Sequence, residues 1–288
     1  MGIKKAVVLS MLLPDSEENI ELFDRGVSLL IQKGIAAIEY FAPIHHVFER
    51  EEILRQKGMR GIYLAAILQK RQKLNLSSLD ENERRKAVDE TLKCIDASKT
   101  AKVATVLITS GARPENELQK EEALLAFQDS LEEICTYTGK DITITIEPGD
   151  SNVHFFQLIG PTAQAAALMR QMARRGIGNL ALTMDISHLA MLGEEITPSL
   201  EEVMPYCSHI HLANCVLDKT DPLYGDKHPP FSVKKGRYDP EVAKDVIDWL
   251  QNNYPDKDFL ISIEIMSRAE DQWKFMEEML LENRWFFD

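Results

Sequence analysis

Four ionisable side chains end four apolar, β-branched runs in the second half of the chain. Thr143-Ile144-Thr145-Ile146 precedes Glu147, Leu180-Ala181-Leu182-Thr183-Met184 precedes Asp185, His209-Ile210 precedes His211, and Leu260-Ile261-Ser262-Ile263 precedes Glu264. A charge at the end of a buried strand must be paired or must ligate a cation. Three carboxylates and one imidazole form a hard, mostly oxygen donor set, suited to Mn²⁺ first and also to Mg²⁺, Co²⁺ or Zn²⁺. The competing reading has each acid capping a helix or pairing with an arginine. That reading accounts for one such residue readily and for four on consecutive runs poorly.

Further candidates surround this quartet. His188, three residues after Asp185, projects toward the same place, with a plain loop histidine as the alternative. Asp226-Lys227-His228 offers an Asp-x-His pair that can clamp a second metal or bind substrate hydroxyls, or can sit in a solvated loop. His209 shares a strand face with His211 but lies one layer deeper, which suits a packed histidine better than a ligand. Glu39 closes the run Ile35-Ala36-Ala37-Ile38 and can accept a hydrogen bond from substrate or serve structurally. Lys70, Arg71, Lys73, Lys227, Lys234, Lys235 and Arg237 fall in two long connections. Among them Arg237 is the substrate-binding candidate, and together they would attract an anionic substrate such as a sugar phosphate or sugar acid. Ordinary solvated loop charges are the other reading.

Elements that could position these groups alternate along the chain. Strands are expected at 6–11, 35–41, 61–67, 103–109, 142–146, 180–184, 209–216 and 259–265. Helices are expected at 17–33, 49–57, 80–100, 117–137, 162–175, 197–204, 239–250 and up to Glu282. Asp80 and the Asp239-Pro240 and Thr197-Pro198 pairs read as helix starts. Eight strand–helix units within 288 residues fit a single (β/α)8 TIM barrel spanning 1–288. A doubly wound open sheet fits less well, because no glycine-rich fingerprint follows the first strand. The long connections at 68–79 and 217–238 would lie at the C-terminal mouth, where chemistry in this fold resides.

Composition narrows the function. With 33 Lys and Arg against 46 Asp and Glu, the formal charge is −13, which disfavours a nucleic-acid backbone as partner. No apolar run approaches the roughly 20 residues of a membrane helix. The first residues mimic a signal peptide loosely, lack its cleavage site, and read better as a first strand. Cys94, Cys135, Cys207 and Cys215 show no paired spacing and read as reduced thiols of a cytoplasmic protein. No nucleophile elbow or Walker loop is present.

The pieces Ile146-Glu147-Pro148, Met184-Asp185-Ile186-Ser187-His188, His209-Ile210-His211-Leu212, Asp226-Lys227-His228 and Ile263-Glu264 together resemble the xylose-isomerase-like barrel superfamily. That group holds sugar-phosphate isomerases, ketose 3-epimerases and type IV apurinic endonucleases. The resemblance implies a divalent metal held by Glu147, Asp185, His211 and Glu264, with Glu147 and Glu264 also acting as acid and base on a sugar that passes through an enediolate. It implies a substrate contact for His188, and a dimer or tetramer. The same equipment could run a lyase or hydrolase reaction on an oxidised sugar or glycoside, and a non-catalytic sugar- or protein-binding barrel is a further reading. Two departures weigh against a free-ketose 3-epimerase: Val153 and Leu217 stand where those enzymes carry a substrate-binding glutamate and arginine. The endonucleases need histidines at the ends of strands three and four, and 61–68 and 103–111 contain none. Yet His188, Asp226 and His228 match the endonucleases' third-zinc triplet, which implies either a second metal or, the reading preferred here, a set of substrate contacts.

Overall fold

β-Branched residues concentrate in the eight runs expected to be strands, and each run supplies one. The computed structural model describes residues 2–288. Its strands are β1 (Ile3–Val8), β2 (Ala37–Tyr40), β3 (Arg60–Leu64), β4 (Thr105–Ile108), β5 (Thr143–Ile146), β6 (Leu180–Asp185), β7 (Cys207–Ala213) and β8 (Phe259–Glu264). All pair in parallel in sequence order, and β8 returns to β1 to close a single (β/α)8 TIM barrel. Amphipathic helices ring the outside. In Ile20–Gln32, for example, Phe23, Val27 and Leu30 are buried at helical spacing.

Helix starts follow the capping chemistry at two of three expected places. Asp80 accepts from the backbone N–H groups of Asn82 and Glu83, opening Glu81–Ala101, and Asp239 does the same for Glu241 and Val242 ahead of Pro240–Asn253. At the third place the helix begins earlier, at Ile196, with Glu195 before it and no side-chain cap. Pro198 then lies in the first turn, where its missing N–H would have had no helical partner in any case.

At three strands the chain turns straight into a helix at the mouth, and two of them, β1 and β3, stop short of the expected ends for that reason. β1 gives way to Leu9–Leu12, β3 to Ala65–Gln72, and β6 to Ile186–Leu192. The apolar segments Leu9–Met11 and Ala65–Ile67 read as continuations of their strands, and periodicity alone cannot separate a short buried strand from a short buried helix. The connection expected at 68–79 is therefore partly helical.

The register brings the strand ends level. Asp185 of β6 pairs with His211 of β7, and Ala213 of β7 with Glu264 of β8. Below them lies a polar layer in a barrel interior that usually carries Val, Ile and Leu. Thr145, Thr183, His209, Ser262 and Glu39 are all buried there and bonded to one another. None of the helices among the described residues is long and apolar enough to cross a membrane.

Candidate metal centre

His211 is the hub. Its Nδ1 lies 3.0 Å from Glu147 Oε1 and 2.9 Å from Glu264 Oε2, and its Nε2 lies 3.0 Å from Glu39 Oε2. β7 supplies the ring and β8 supplies Glu264; Glu147 immediately follows β5, its N–H donating to Ile108 O of β4. Glu147, His211 and Glu264 bring their donor atoms within 4.8 Å of one another and could hold a metal ion.

A second group stands beside the first. Asp185, His188 and His228 also place donor atoms within 4.8 Å of one another. Asp185 ends β6 and caps the Ile186–Leu192 helix: its carboxylate accepts from Ser187 N–H (2.8 Å) and Ser187 Oγ–H (2.7 Å). That helix turns His188 back over the mouth, with Nδ1 3.0 Å from Pro148 O and Nε2 3.5 Å from both Asp185 and Asp226. His228 contacts Asp226 through Nε2 and approaches Glu264 Oε1 to 3.2 Å through Nδ1. Its backbone is left-handed, at φ +41°, an uncommon conformation for a residue other than glycine and one that collects at functional sites. The bond from Met266 N–H to His228 O holds it there. The quartet expected as one ligand set thus divides, with Asp185 grouping with the two histidines and joined to the rest through Glu264 and His228.

The donor atoms suit a cation. A neutral imidazole donates from only one nitrogen, yet carboxylates flank both nitrogens of His211. Glu264 Oε2 and His228 Nδ1 are buried and make no hydrogen bond, despite the close approaches to His211 and Glu264 described above. These are contacts without hydrogen-bond alignment. Glu39, on the far side of the ring, forms a third such group with His209 and His211, their donor atoms again within 4.8 Å of one another.

Electrostatics follow the crowding. Burial works against charge on His188, His211, His228, Glu39, Asp185, Asp226 and Glu264, and opposite charges overcome it in all but Asp185. Burial lowers the His211 pKa, but Glu39, Glu264 and Glu147 raise it well above the usual range. His188, opposed by burial and favoured by Asp185 and Asp226, is pushed up to about 10. His228 rises likewise beside Glu264 and Asp226. Glu39, Glu264 and Asp226 are depressed, since neighbouring histidines outweigh their burial. Asp185 goes the other way: burial holds its carboxyl above the usual range. In the absence of a metal, protons on histidines balance the carboxylates.

A cavity of about 490 Å³ opens above the two groups, lined by Glu147, His188, His211, Asp226, His228 and Glu264 on one side. Two candidates fall elsewhere. Glu39 is fully buried beneath His211, bonded to both histidines of β7, and is not on the cavity wall. Arg237 is not on the wall either; its guanidinium lies over the Tyr238 ring. Of the loop cations, Lys70 and Lys73 line the cavity, while Lys235 pairs with Asp218 and Asp221 and Arg71 pairs with Glu17. Two features escaped the sequence. Thr145, Thr183 and Ser262, which support His209, are visible only as polar residues at alternate strand positions. Asp150 accepts from four successive backbone N–H groups, Asn152 to Phe155, and shapes one lip of the cavity.

The chain is similar in fold to several solved proteins at low identity. The IOLI protein, solved with a bound zinc atom, matches at 17% identity and TM-score 0.71, covering 98% of this chain and 96% of that one. A D-tagatose 3-epimerase-like protein matches at 18% identity and TM-score 0.68, covering 98% of each chain. The family 2 AP endonuclease of Brucella melitensis matches at 16% identity and TM-score 0.68, covering 100% of this chain and 99% of that one. Among curated proteins, none matches the sequence. A sequence profile described as xylose isomerase-like TIM barrel matches residues 28–252. With well over half of its length matched, the chain belongs to the xylose isomerase-like TIM barrel family.

Proposed function

We propose that the protein is a divalent-metal-dependent sugar isomerase or epimerase, with Glu147 and Glu264 as its acid–base pair. The observation that carries this reading is the pair of glutamates converging on one nitrogen of His211, at 3.0 and 2.9 Å. Glu147, His211 and Glu264 would hold the ion, Mn²⁺ being suited to the oxygen-rich set, and Asp185 would complete it from the adjoining group. A cation there supplies positive charge to oxygens beside the reacting carbon. One glutamate would take the proton α to the carbonyl and the other would return a proton, on the opposite face for epimerisation. His188, Asp226 and His228 line the cavity and, on this reading, would bind substrate hydroxyls. Epimerase and zinc-bound neighbours support this class of chemistry.

Incubation in D₂O with a panel of ketoses, sugar phosphates and sugar acids tests the proposal. Deuterium should enter at the carbon whose configuration or oxidation level changes. Glu147→Gln and Glu264→Gln should each slow exchange by at least about 10²-fold, the contribution of a positioned general acid or base, with the fold retained by circular dichroism. Exchange at the wild-type rate in either variant would contradict the assignment.

The Asp185–His188–His228 group specifically favours a second reading, a two-metal lyase or hydrolase on an oxidised sugar or glycoside. Two ions bound per chain, with leaving-group release and no isomer formed, would select it.

A further inference from the structure

The cavity has two chemically different halves. The ligating groups occupy the side built by β5 to β8. The opposite side, built by β1, β3, β4 and the segments after them together with parts of the loops after β5 and β8, presents Met11, Leu64, Ile67, Leu74, Phe155 and Met266. Met11, Ile67, Phe155 and Met266 are only partly buried, so apolar surface is left facing the space above the metal centre.

Several of the polar groups interspersed on that side are already engaged within the protein. Gln69 Oε1 accepts from Thr109 N–H at 2.9 Å. Gln157 Oε1 accepts from Ser110 Oγ–H at 3.1 Å. Asn75 uses Oδ1 for Ser77 and Nδ2 for Ala112 O, and Asp150 spends both oxygens on backbone N–H groups. Sugar hydroxyls lying along this wall would give up water for few partners, which is unfavourable. A free polyhydroxy chain fits poorly there, and an apolar group fits well. The volume, about 490 Å³, lies within the roughly 300–1,000 Å³ typical of pockets that take drug-sized ligands.

We infer that the substrate is a sugar derivative bearing an apolar substituent, aryl or alkyl, whose hydroxy-carbonyl end lies at the ligand cluster while the substituent lies along the Met11–Ile67–Phe155–Met266 wall. This inference rests on the metal-dependent reading above and adds the substrate class to it. The wall ends at Lys70, whose ammonium lies 3.8 Å from the Phe155 ring centroid, and at Lys73. Aliphatic stems of lysine add apolar surface below these charges, so the wall meets a cationic rim.

Hydroxamates provide the test, because they chelate a metal through adjacent oxygens and vary only in the attached group. Dissociation constants of acetohydroxamate, benzohydroxamate and phenylacetohydroxamate would be measured calorimetrically on the Mn²⁺-loaded full chain. At least one aryl compound should bind about tenfold or more tightly than acetohydroxamate, the discrimination available to even one well-buried methylene. In Ile67→Asn and in Phe155→Ser that ratio should shrink at least about threefold. The two variants lie on different elements, so loss of folding in one leaves the other to decide. Metal-dependent binding with equal affinity across the series, or an aryl preference untouched by both variants, would overturn the inference and leave the metal-dependent reading standing. No binding of any hydroxamate to the metal-loaded protein would overturn both.

Discussion

Glu39 shows how much of a metal site lies outside the ligands themselves. It touches His209 Nε2 at 2.9 Å and His211 Nε2 at 3.0 Å, and it is wholly buried. Its charge fixes which nitrogen of His211 is free for the cavity. Replacing it by glutamine keeps the shape, removes the charge, and lets an N–H group face the ring where only acceptors stood. Glu39→Gln should weaken Mn²⁺ binding by about tenfold to a hundredfold, the usual effect of losing such an outer partner, while circular dichroism stays that of the parent. Calorimetric titration with Mn²⁺ checks this, and an unchanged affinity would remove Glu39 from the centre. The sequence marked Glu39 as a strand-end acid but could not give its depth. Depth inside a barrel depends on the shear between strands, and a lone run such as Ile35–Glu39 carries no record of it.

At the scale of elements, the loop after β5 is organised by one carboxylate. Asp150 is 1% exposed and receives N–H bonds from Asn152, Val153, His154 and Phe155 at 3.1, 2.6, 2.8 and 2.8 Å. This arrangement fixes the loop that carries Phe155 onto the cavity wall. Asp150→Ala would strand those donors, and hydrogen bonds to a buried charge are worth roughly 1.5–3 kcal/mol each at full strength. A loss of about 2 kcal/mol or more in chemical denaturation is expected, with faster amide exchange confined to Asn152–Phe155. Retained protection there would show that the loop is held by other contacts. Elements with strong periodicity, such as Glu81–Ala101 behind its Asp80 cap, were legible in the sequence to within a residue or two. The Ile186–Leu192 helix was not, because Asp185 ends a strand and caps a helix at once, leaving no turn residue between them. His188 was therefore expected near the right place on the wrong kind of element. Asp150 could not be singled out, since an acid in a polar loop looks the same whether it binds four amides or water.

For the whole molecule, the centre couples metal, protons and stability. Glu39, Glu147, Asp185, Asp226 and Glu264 crowd against four of the seven histidines of the chain. Without a cation, the raised histidines hold the site together by keeping protons. A group whose folded pKa lies above its unfolded value lends stability that is complete below the unfolded pKa, about 6.5 for histidine. That contribution fades as pH rises toward the folded value, about 10 for His188. Metal-free protein should therefore melt at progressively lower temperature as pH increases from about 6.5 to 9, with the strand-end carboxylates repelling one another. A divalent cation replaces those protons and is favoured by the same rise in pH. At a concentration near a hundred times its dissociation constant it should add about 2.7 kcal/mol, or roughly 5 °C for a domain of this size. The gap between metal-loaded and metal-free melting temperatures should accordingly widen from pH 6 to pH 9. Thermal scans with Mn²⁺ or with a chelator, across that range, measure it. A gap that is constant, or that narrows toward alkaline pH, would mean the cation does not compete with protons for these histidines and so does not lie among them.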